Sequence, residues 1–298
     1  MYLIKFVSLF CLCPYSFVVW FFFLQMYCCS SHGKEQVIDL TSSPMSKRTR
    51  HSSDDFDRKI FKTLLDSQMF FIIFKNAPIV VERNVQFDTL GSTFIPKIFA
   101  DKDWAILFGN FEDPIDELVK EFYLNASFTG VELKCWVRGK DFIIFPGYLT
   151  KILRINHQEN VDISPYDDRL APVKDILDIL GANHEVSAKG TSIGTVKFGP
   201  ESKTFTLIMF FNLYKLTNTG FINLGRAQFL CDLITGALID ICAHIFQIMG
   251  KTARQSVAWM CLPFCSLIMK IMVLKGVYPP KYGTTLLHQR SISWCFSK

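Results

Sequence analysis

The chain has 298 residues, half of them apolar, with 32 basic and 27 acidic side chains and a formal net charge of +5. This length and apolar content allow a sizeable core, which excludes a wholly disordered protein, and the charge is too small to indicate nucleic-acid binding by itself. Its 10 cysteines are too sparse for a secreted disulfide scaffold, so we expect reduced, buried thiols and an intracellular compartment.

Residues 1–30 form an apolar leader. Positions 6–24 hold nineteen mostly apolar residues, and no Lys, Arg, Asp or Glu occurs between Phe6 and Gly33. Such a run can cross about 30 Å of hydrocarbon as a helix, even with Pro14 inside it. Two interpretations stay open: either residues 6–24 form a single membrane-spanning helix, or residues 1–30 are an artefact of the gene model.

The polar segment at residues 31–58 predicts a disordered linker, because little in it could bury an apolar face. Its first motif resembles the peptide that binds the small ubiquitin-like modifier by adding a strand to an exposed sheet edge. Aliphatic side chains would enter a groove, while acidic or phosphorylated neighbours would meet basic side chains. A motif this short is also matched easily by chance; it consists of Val37, Ile38, Asp39, Leu40 and Thr41.

A compact basic cluster follows in the same segment. Lys47, Arg48 and Arg50 are typical of a nuclear-import signal and could equally contact nucleic-acid phosphates. The plainer interpretation is a solvated run of charge that neighbouring aspartates offset. Leader and linker therefore predict different locations: a single-pass membrane protein if the leader is present, and a nuclear protein if it is absent.

The folded part begins near residue 60. Residues 60–74 combine helical spacing with a continuous apolar run, so we expect this segment to lie on the core; the spacing involves Ile60, Phe61, Leu64 and Leu65. Residues 77–87 predict extended chain, because their valines, isoleucine and proline disfavour a helix.

The clearest local pattern predicts a helix that starts at Asp113. Asp113 suits the N-cap and Pro114 the first helical position, while Asp116 and Glu117 favour the positive end of the helix dipole. A single apolar stripe would face the core; it consists of Ile115, Leu118, Val119 and Phe122.

A β-hairpin and two short helices are predicted next. Residues 131–137 and 142–145 flank a turn in which Gly139 permits the required backbone conformation. Pro146 opens a short helix, and a second helix begins near Pro172 and ends at Gly181. Residues 182–203 predict a second stretch of low order.

The C-terminal third predicts a helical bundle. Four apolar segments of ordinary helix length are separated by glycine or Thr-Asn breaks, at 205–216, 223–236, 237–250 and 257–276. Pro263 interrupts the last of them, which favours buried helices over a membrane span. Residues 277–298 show no periodicity and predict a loose tail.

Four of these segments, taken in order, resemble a known family: 77–91, 104–126, 135–155 and 212–246. They contain an EFY helix, a WVRG hairpin, a Pro-started helix and an NTGF…ITG helical block. The arrangement covers residues 60–276 and is similar to the putative plant transposon protein domain, found among transposable-element-derived reading frames. The resemblance implies a largely helical protein with a small β element and carries over no catalytic residue. The leader departs from the family, whereas the linker resembles other members. We therefore expect an α+β, mainly α-helical fold with a helical C-terminal bundle and a small β-hairpin.

Three patterns of catalytic or metal-binding type are weak. Gly190–Gly194 matches the G-x-S-x-G nucleophile elbow, but no apolar strand precedes it and no helix follows directly. Cysteines near His244 lack the short spacing of structural zinc sites, so we interpret them as buried thiols. Four acidic side chains that could meet on a divalent metal follow no recognisable core strand; they are Asp101, Asp103, Asp167 and Asp168. Asp232 and Asp240 lie within or near the ends of predicted helices, where we expect them to serve packing and solvation.

The predicted hairpin allows one more functional interpretation, nucleic-acid binding. Lys134, Arg138 and Lys140 lie beside Trp136, and such a set could form a nucleic-acid-binding ribbon with an aromatic platform. An exposed turn without a broad basic surface is the plainer interpretation.

The sequence thus predicts a non-catalytic, transposable-element-derived protein that acts through macromolecular contacts. No catalytic, cofactor-binding or metal-binding residue is assigned, and no cofactor is expected. The partners considered are the small ubiquitin-like modifier at residues 37–41, a weak nucleic-acid contact, and a membrane if residues 6–24 are retained. The alternatives are a vestigial transposase-like or nuclease-like enzyme and a single-pass membrane-anchored protein.

Overall fold

The computed structural model describes residues 56–109, 113–156, 170–182, 192–214, 219–255, 261–277 and 289–292. The leader at 1–30, the motif at 37–41 and the basic cluster at 47–50 lie outside these residues, as does most of the predicted linker at 31–58. All described residues belong to one compact unit, Ser52–Lys298.

The first described helix changes type along its length. Helix α1 (Leu64–Met69) begins with a capping box: the Thr63 hydroxyl accepts a hydrogen bond from the Asp66 backbone N–H, and the Asp66 carboxylate accepts one from the Thr63 N–H. A π-helix, Phe70–Phe74, continues it directly. Because a π-helix has more residues per turn, it changes which side chains of the apolar run face the core.

A strand and a helix connect this segment to the rest of the core. Strand β1 (Arg83–Val85) is followed by a 3-10 turn at Phe87–Leu90, by helix α2 (Ile95–Asp101) and by a second 3-10 turn at Ala105–Phe108. Pro96 lies in the first turn of α2, where its missing N–H costs no helical hydrogen bond.

Helix α3 (Asp116–Asn125) starts later than the sequence predicts. Ile115 is the N-cap and keeps an extended backbone, φ −105° and ψ 117°, so Asp113 and Pro114 lie outside the helix. The extended backbone lets the Ile115 side chain reach the core, where it is buried. Asp116 and Glu117 do lie in the first turn, near the positive end of the dipole.

The predicted hairpin is confirmed and forms part of a three-stranded antiparallel sheet. Its order is β2 (Ser127–Phe128), β3 (Leu133–Val137) and β4 (Lys140–Ile144). Both turn residues have positive φ, 48° at Arg138 and 77° at Gly139, which fits the twist of a two-residue hairpin. Alternate side chains of β3 and β4 are buried, so one face of the sheet packs on the core.

Two predicted helices are confirmed, and one predicted stretch of low order is wrong in part. Helix α4 (Pro146–Leu153) begins with its proline, and helix α5 (Val173–Ile179) follows Pro172. Beyond residue 191, however, the chain is ordered: β5 (Ser192–Gly194) pairs antiparallel with β6 (Phe221–Asn223). This pairing joins segments that are distant in sequence, so local patterns could not reveal it.

The C-terminal third forms the expected helices with shifted starts. They are α6 (Pro200–Asn212), α7 (Leu224–Ile234), α8 (Ile241–Arg254) and α9 (Cys265–Leu274). Asn223 and Asp240 cap α7 and α8 with side-chain oxygens, so residues 237–240 precede α8 rather than belonging to it. Helix α9 begins after Pro263, which shortens the segment predicted at 257–276.

The predicted loose tail is wrong for four residues. Strand β7 (Gln289–Ile292) pairs in parallel with β1, with Arg83 opposite Gln289 and Val85 opposite Ile292. The two strands are separated by most of the described chain, and no periodicity in the tail signals the pairing.

One contiguous core joins these elements. Helix α8 packs against α4, α3 and β2, α7 packs against α5, and α9 packs against α3. The apolar side chains of α6 to α9 point mostly into this core. The mainly helical α+β fold and the inward-facing C-terminal helices are therefore confirmed. Within the described ranges, no helix is both long enough and apolar enough to span a bilayer.

Candidate interaction surface

Two of the predicted acidic candidates, Asp232 and Asp240, are engaged in local hydrogen bonds. Asp232 accepts a hydrogen bond from Gln228 Nε2 at 2.7 Å, and Asp240 accepts one from the Ala243 N–H at 2.9 Å. Asp101 and Asp103 are exposed. Residues 167 and 168 lie outside the part of the chain that the structure describes. Among the described residues, no three His, Cys, Asp or Glu side chains form a group that could hold a metal ion.

The five described cysteines are free thiols, and four are buried. Burial raises the pKa of Cys231 and of Cys242 to about 12, and it also raises the pKa of Cys135. A thiol with so high a pKa is not a nucleophile near neutral pH. The nearby His244 ring stacks on Phe229, with 4.5 Å between ring centroids. These side chains pack the core, as the sequence predicts for the thiols.

The nucleophile-elbow pattern does not have the geometry of an elbow. Ser192 is the first residue of β5 and pairs with Asn223 of β6, whereas an elbow serine follows its strand. A 3-10 turn at Thr195–Lys197 comes next, in place of a helix. Gly190 and Thr191 lie outside the described residues.

The hairpin turn is held to helix α3 by one carboxylate. Arg138 donates from its backbone N–H to Glu121 Oε1 at 2.7 Å and from Nε to Oε2 at 2.8 Å. The Glu121 side chain is 1% exposed, and burial raises its pKa, although the contacts from Arg138 oppose this increase. The charge of Arg138 thus fixes the hairpin onto α3.

Two further cations at the hairpin, Lys134 and Lys62, have partners within the fold. Lys134 pairs with Glu132 at 3.0 Å. Lys62 lies over the Trp136 ring, 5.5 Å from its centroid, and reaches Asp141 at 3.7 Å. Lys140 is exposed at the turn. An aromatic platform for nucleic acid would need the Trp136 face that Lys62 covers.

A buried carboxylate supports the start of helix α9. Glu82 Oε2 accepts a hydrogen bond from the Ser266 backbone N–H at 3.1 Å, close to the positive end of the helix. Nearby, the Tyr123 hydroxyl donates to the Pro263 carbonyl at 2.8 Å. Burial raises the pKa of Tyr123. Glu82 thus satisfies a backbone N–H in the first turn of α9, and Tyr123 satisfies a backbone carbonyl just before the helix.

A cavity of about 660 Å³ lies between the end of α2 and the end of α7. Lys102 reaches into this region and donates to the Ala237 carbonyl at 2.7 Å. Burial lowers the pKa of Lys102, and Asp101 opposes the shift. The lining of the cavity combines Lys97 and Lys102 with Asp101 and Asp103, so its positive and negative charges cancel and favour no single ligand class.

The most unusual surface lies on the first described helix. Leu65, Phe71 and Ile72 are 61%, 56% and 63% exposed, and Leu64 beside them is 38% exposed. Ile73 and Phe74, on the opposite side, are buried. We call Leu64, Leu65, Phe71 and Ile72 the apolar face. Adjacent exposed apolar side chains on one element are typical of an interaction site.

The sequence did not predict this surface correctly. Helical spacing predicts that Leu64 and Leu65 pack against the core, and the structure exposes both. The signal was present at residues 69–74, where an unbroken apolar run has more side chains than one helical face can bury. The predicted binding residues Val37 to Thr41, and Lys47, Arg48 and Arg50, lie outside the described residues.

A comparison with protein-family models identifies the larger part of the chain. The model of the putative plant retrotransposon-related domain matches residues 101–278, more than half of the sequence. The chain belongs to this family. No curated protein and no solved structure matches it.

The retrotransposon-related domain covers α3 to α9 and the strands between them. The apolar face lies before the matched range, on a segment that is bonded to the domain. Lys120 of α3 donates from Nζ to the Lys75 carbonyl at 2.8 Å, and Asn125 donates from Nδ2 to the Ile60 carbonyl at 3.2 Å. These bonds hold one side of residues 60–75 against α3, while the apolar face points away from the core.

Proposed function

We propose that this transposable-element-derived protein acts without catalysis, as a docking module whose working surface is the apolar face. The supporting observation is that Leu65, Phe71 and Ile72 are all more than half exposed on one helical segment whose other side is packed. Their combined apolar area is on the order of a few hundred Å², the size of patch at which surfaces of monomeric proteins are often functional.

The state of the reactive side chains supports the non-catalytic part of the proposal. Asp116 pairs with Lys120 at 2.7 Å, Asp240 caps α8, and Glu121 holds the hairpin. The thiols of Cys231 and Cys242 have pKa values of about 12. The carboxylates are paired or hydrogen-bonded and the thiols are protonated and buried, so each of these groups already has a structural role.

The test compares the full chain carrying Leu65→Ser and Ile72→Ser with a matched control. The control carries Val196→Ser and Leu238→Ser, which remove two residues of similar exposure, 77% and 68%, from other elements. Extracts of plant cells that express each tagged protein are separated by size and by flotation. We expect the unaltered protein and the control in a bound fraction and the apolar-face variant in the free fraction. If all three proteins are free, or all are equally bound, the proposal is wrong.

A further inference from the structure

The apolar face lies between two lysines. Lys62 precedes α1, with a side chain 46% exposed, and Lys75 follows the π-helix and is exposed. The contact of Lys62 with Asp141 is a surface ion pair of 3.7 Å with an aspartate that is 80% exposed, and such a pair contributes so little that a phosphate can replace the carboxylate. Residues 56–75 contain four basic side chains, with Arg58 and Lys59 adding to the two lysines, and two acidic ones. One of the acidic residues, Asp66, is engaged in the capping box of α1.

This arrangement of charges argues against a second copy of the chain as the partner that binds the apolar face. If two apolar faces paired antiparallel, Lys62 of each would approach Lys75 of the other. If they paired in parallel, each lysine would meet its own equivalent. Both arrangements place like charges at the ends of an apolar contact, which is destabilising. An occupant that carries negative charge on both sides of an apolar region is complementary.

The shape of the segment favours a membrane surface as the partner of the apolar face. The helical residues 64–74 extend roughly 16 Å, and the exposed side chains project from one side of this rod. A helix with apolar side chains on one side and lysines at its margins is typical of segments that lie in the plane of a membrane interface. Lysine stems can follow apolar surface while their amines remain at the headgroups.

We propose that the apolar face binds an anionic lipid surface, with Leu65, Phe71 and Ile72 inserted below the headgroups and Lys62 and Lys75 against the phosphates. This inference rests on the proposed docking function and assigns its partner. Lys75 Nζ lies 5.3 Å from the Phe71 ring centroid, so its charge is already held at the edge of the inserted side chains. A zwitterionic surface would offer the hydrocarbon but not the net charge.

The test measures amide hydrogen exchange in the full chain, with and without lipid vesicles. One vesicle type contains phosphatidylglycerol and phosphatidylcholine, and the other contains phosphatidylcholine alone. Exchange is local, so it separates the apolar face from any contribution of residues 6–24. We expect exchange in residues 64–75 to slow at least about fivefold with the anionic vesicles, because insertion opposes local opening. The loop at Leu238 should exchange unchanged.

Two variants test the two parts of the contact. Leu65→Ser with Ile72→Ser should abolish the slowing. Lys62→Gln with Lys75→Gln should weaken vesicle binding by about fivefold per lysine at low salt. Equal slowing with phosphatidylcholine alone would overturn the assignment of an anionic surface.

Failure of the lipid assignment can be distinguished from failure of the docking function. Suppose that neither vesicle type slows exchange, while the protein in plant-cell extracts still needs the apolar face to enter the bound fraction. The lipid assignment is then wrong, and the apolar face binds a protein partner instead. If neither vesicle type slows exchange and the apolar-face variant partitions between bound and free fractions like the unaltered protein, both the docking function and its lipid partner are wrong.

Discussion

Two buried thiols should make the domain lose stability in alkali. Cys231 and Cys242 are 2% and 1% exposed, and burial raises the pKa of each from 9.0 to about 12. In the unfolded chain the thiols ionise near pH 9, whereas in the folded chain they keep their protons. The folded state therefore binds more protons between pH 9 and 12, and its stability falls as the pH rises through that window.

The size of the effect follows from the pKa difference. Between pH 8 and pH 10, each thiol should reduce the free energy of unfolding by about 1.4 kcal/mol, and the pair by roughly 3 kcal/mol. This value depends mainly on the pKa in the unfolded chain, because it is nearly the same for any folded pKa above about 11. It is a large fraction of the stability of an ordinary domain.

The assay is urea unfolding at pH 8, 9 and 10 under reducing conditions, for the unaltered protein and for Cys231→Ala with Cys242→Ala. Lost packing in the variant lowers stability equally at every pH, so the comparison uses only the change with pH. We expect the unaltered protein to lose roughly 3 kcal/mol more than the variant between pH 8 and pH 10. Parallel pH profiles would show that the thiols of Cys231 and Cys242 ionise normally in the folded protein, and would refute their burial.

Three further predictions concern packing and buried polar groups. Gly250→Ala should destabilise the domain by about 1–2 kcal/mol in urea unfolding, because the added Cβ would lie 2.5 Å from the Phe128 ring and the strain exceeds the gain in helix propensity; a more stable variant would contradict this packing. Tyr123→Phe should cost about 1–2 kcal/mol by the same measurement, since a buried carbonyl loses its donor, and an unchanged stability would show that water replaces the hydroxyl. Arg138→Ala should raise the pKa of Glu121 further. A raised carboxyl pKa means that the folded state keeps the proton to higher pH, so this variant should lose stability relative to the unaltered protein as the pH rises from 4 to 7. Parallel stability profiles of the two proteins would contradict the contact between Arg138 and Glu121.

Elements defined by local chemistry were predictable from the sequence. The hairpin follows from Gly139 in the turn and from alternating side chains on both strands. Helix α4 follows from Pro146 and an apolar stripe. The start of α3 was misplaced because Asp113 and Pro114 satisfy the local rules for a helix start, while burial of Ile115 in extended conformation decides the actual one.

Features that depend on distant contacts were not predictable. The pairing of β1 with β7 and of β5 with β6 joins segments with no local pairing signal. The exposed side of residues 64–74 is also set in part from outside the segment, because Lys120 of α3 binds the Lys75 carbonyl. Within the segment, Ile73 and Phe74 of the π-helix are buried. Composition could show that the run was too apolar for one face, but not which side would remain in solvent.

The claim that the apolar face is not required for folding can be tested by one measurement, the free energy of unfolding. Leu65→Ser with Ile72→Ser should stay within about 1 kcal/mol of the unaltered protein, because both side chains are mostly exposed. Phe74→Ala, on the buried side of the same segment, should lose about 3–5 kcal/mol. A loss in the double variant as large as that of Phe74→Ala would show that the face is packed in the native protein, and would contradict its assignment as a docking surface.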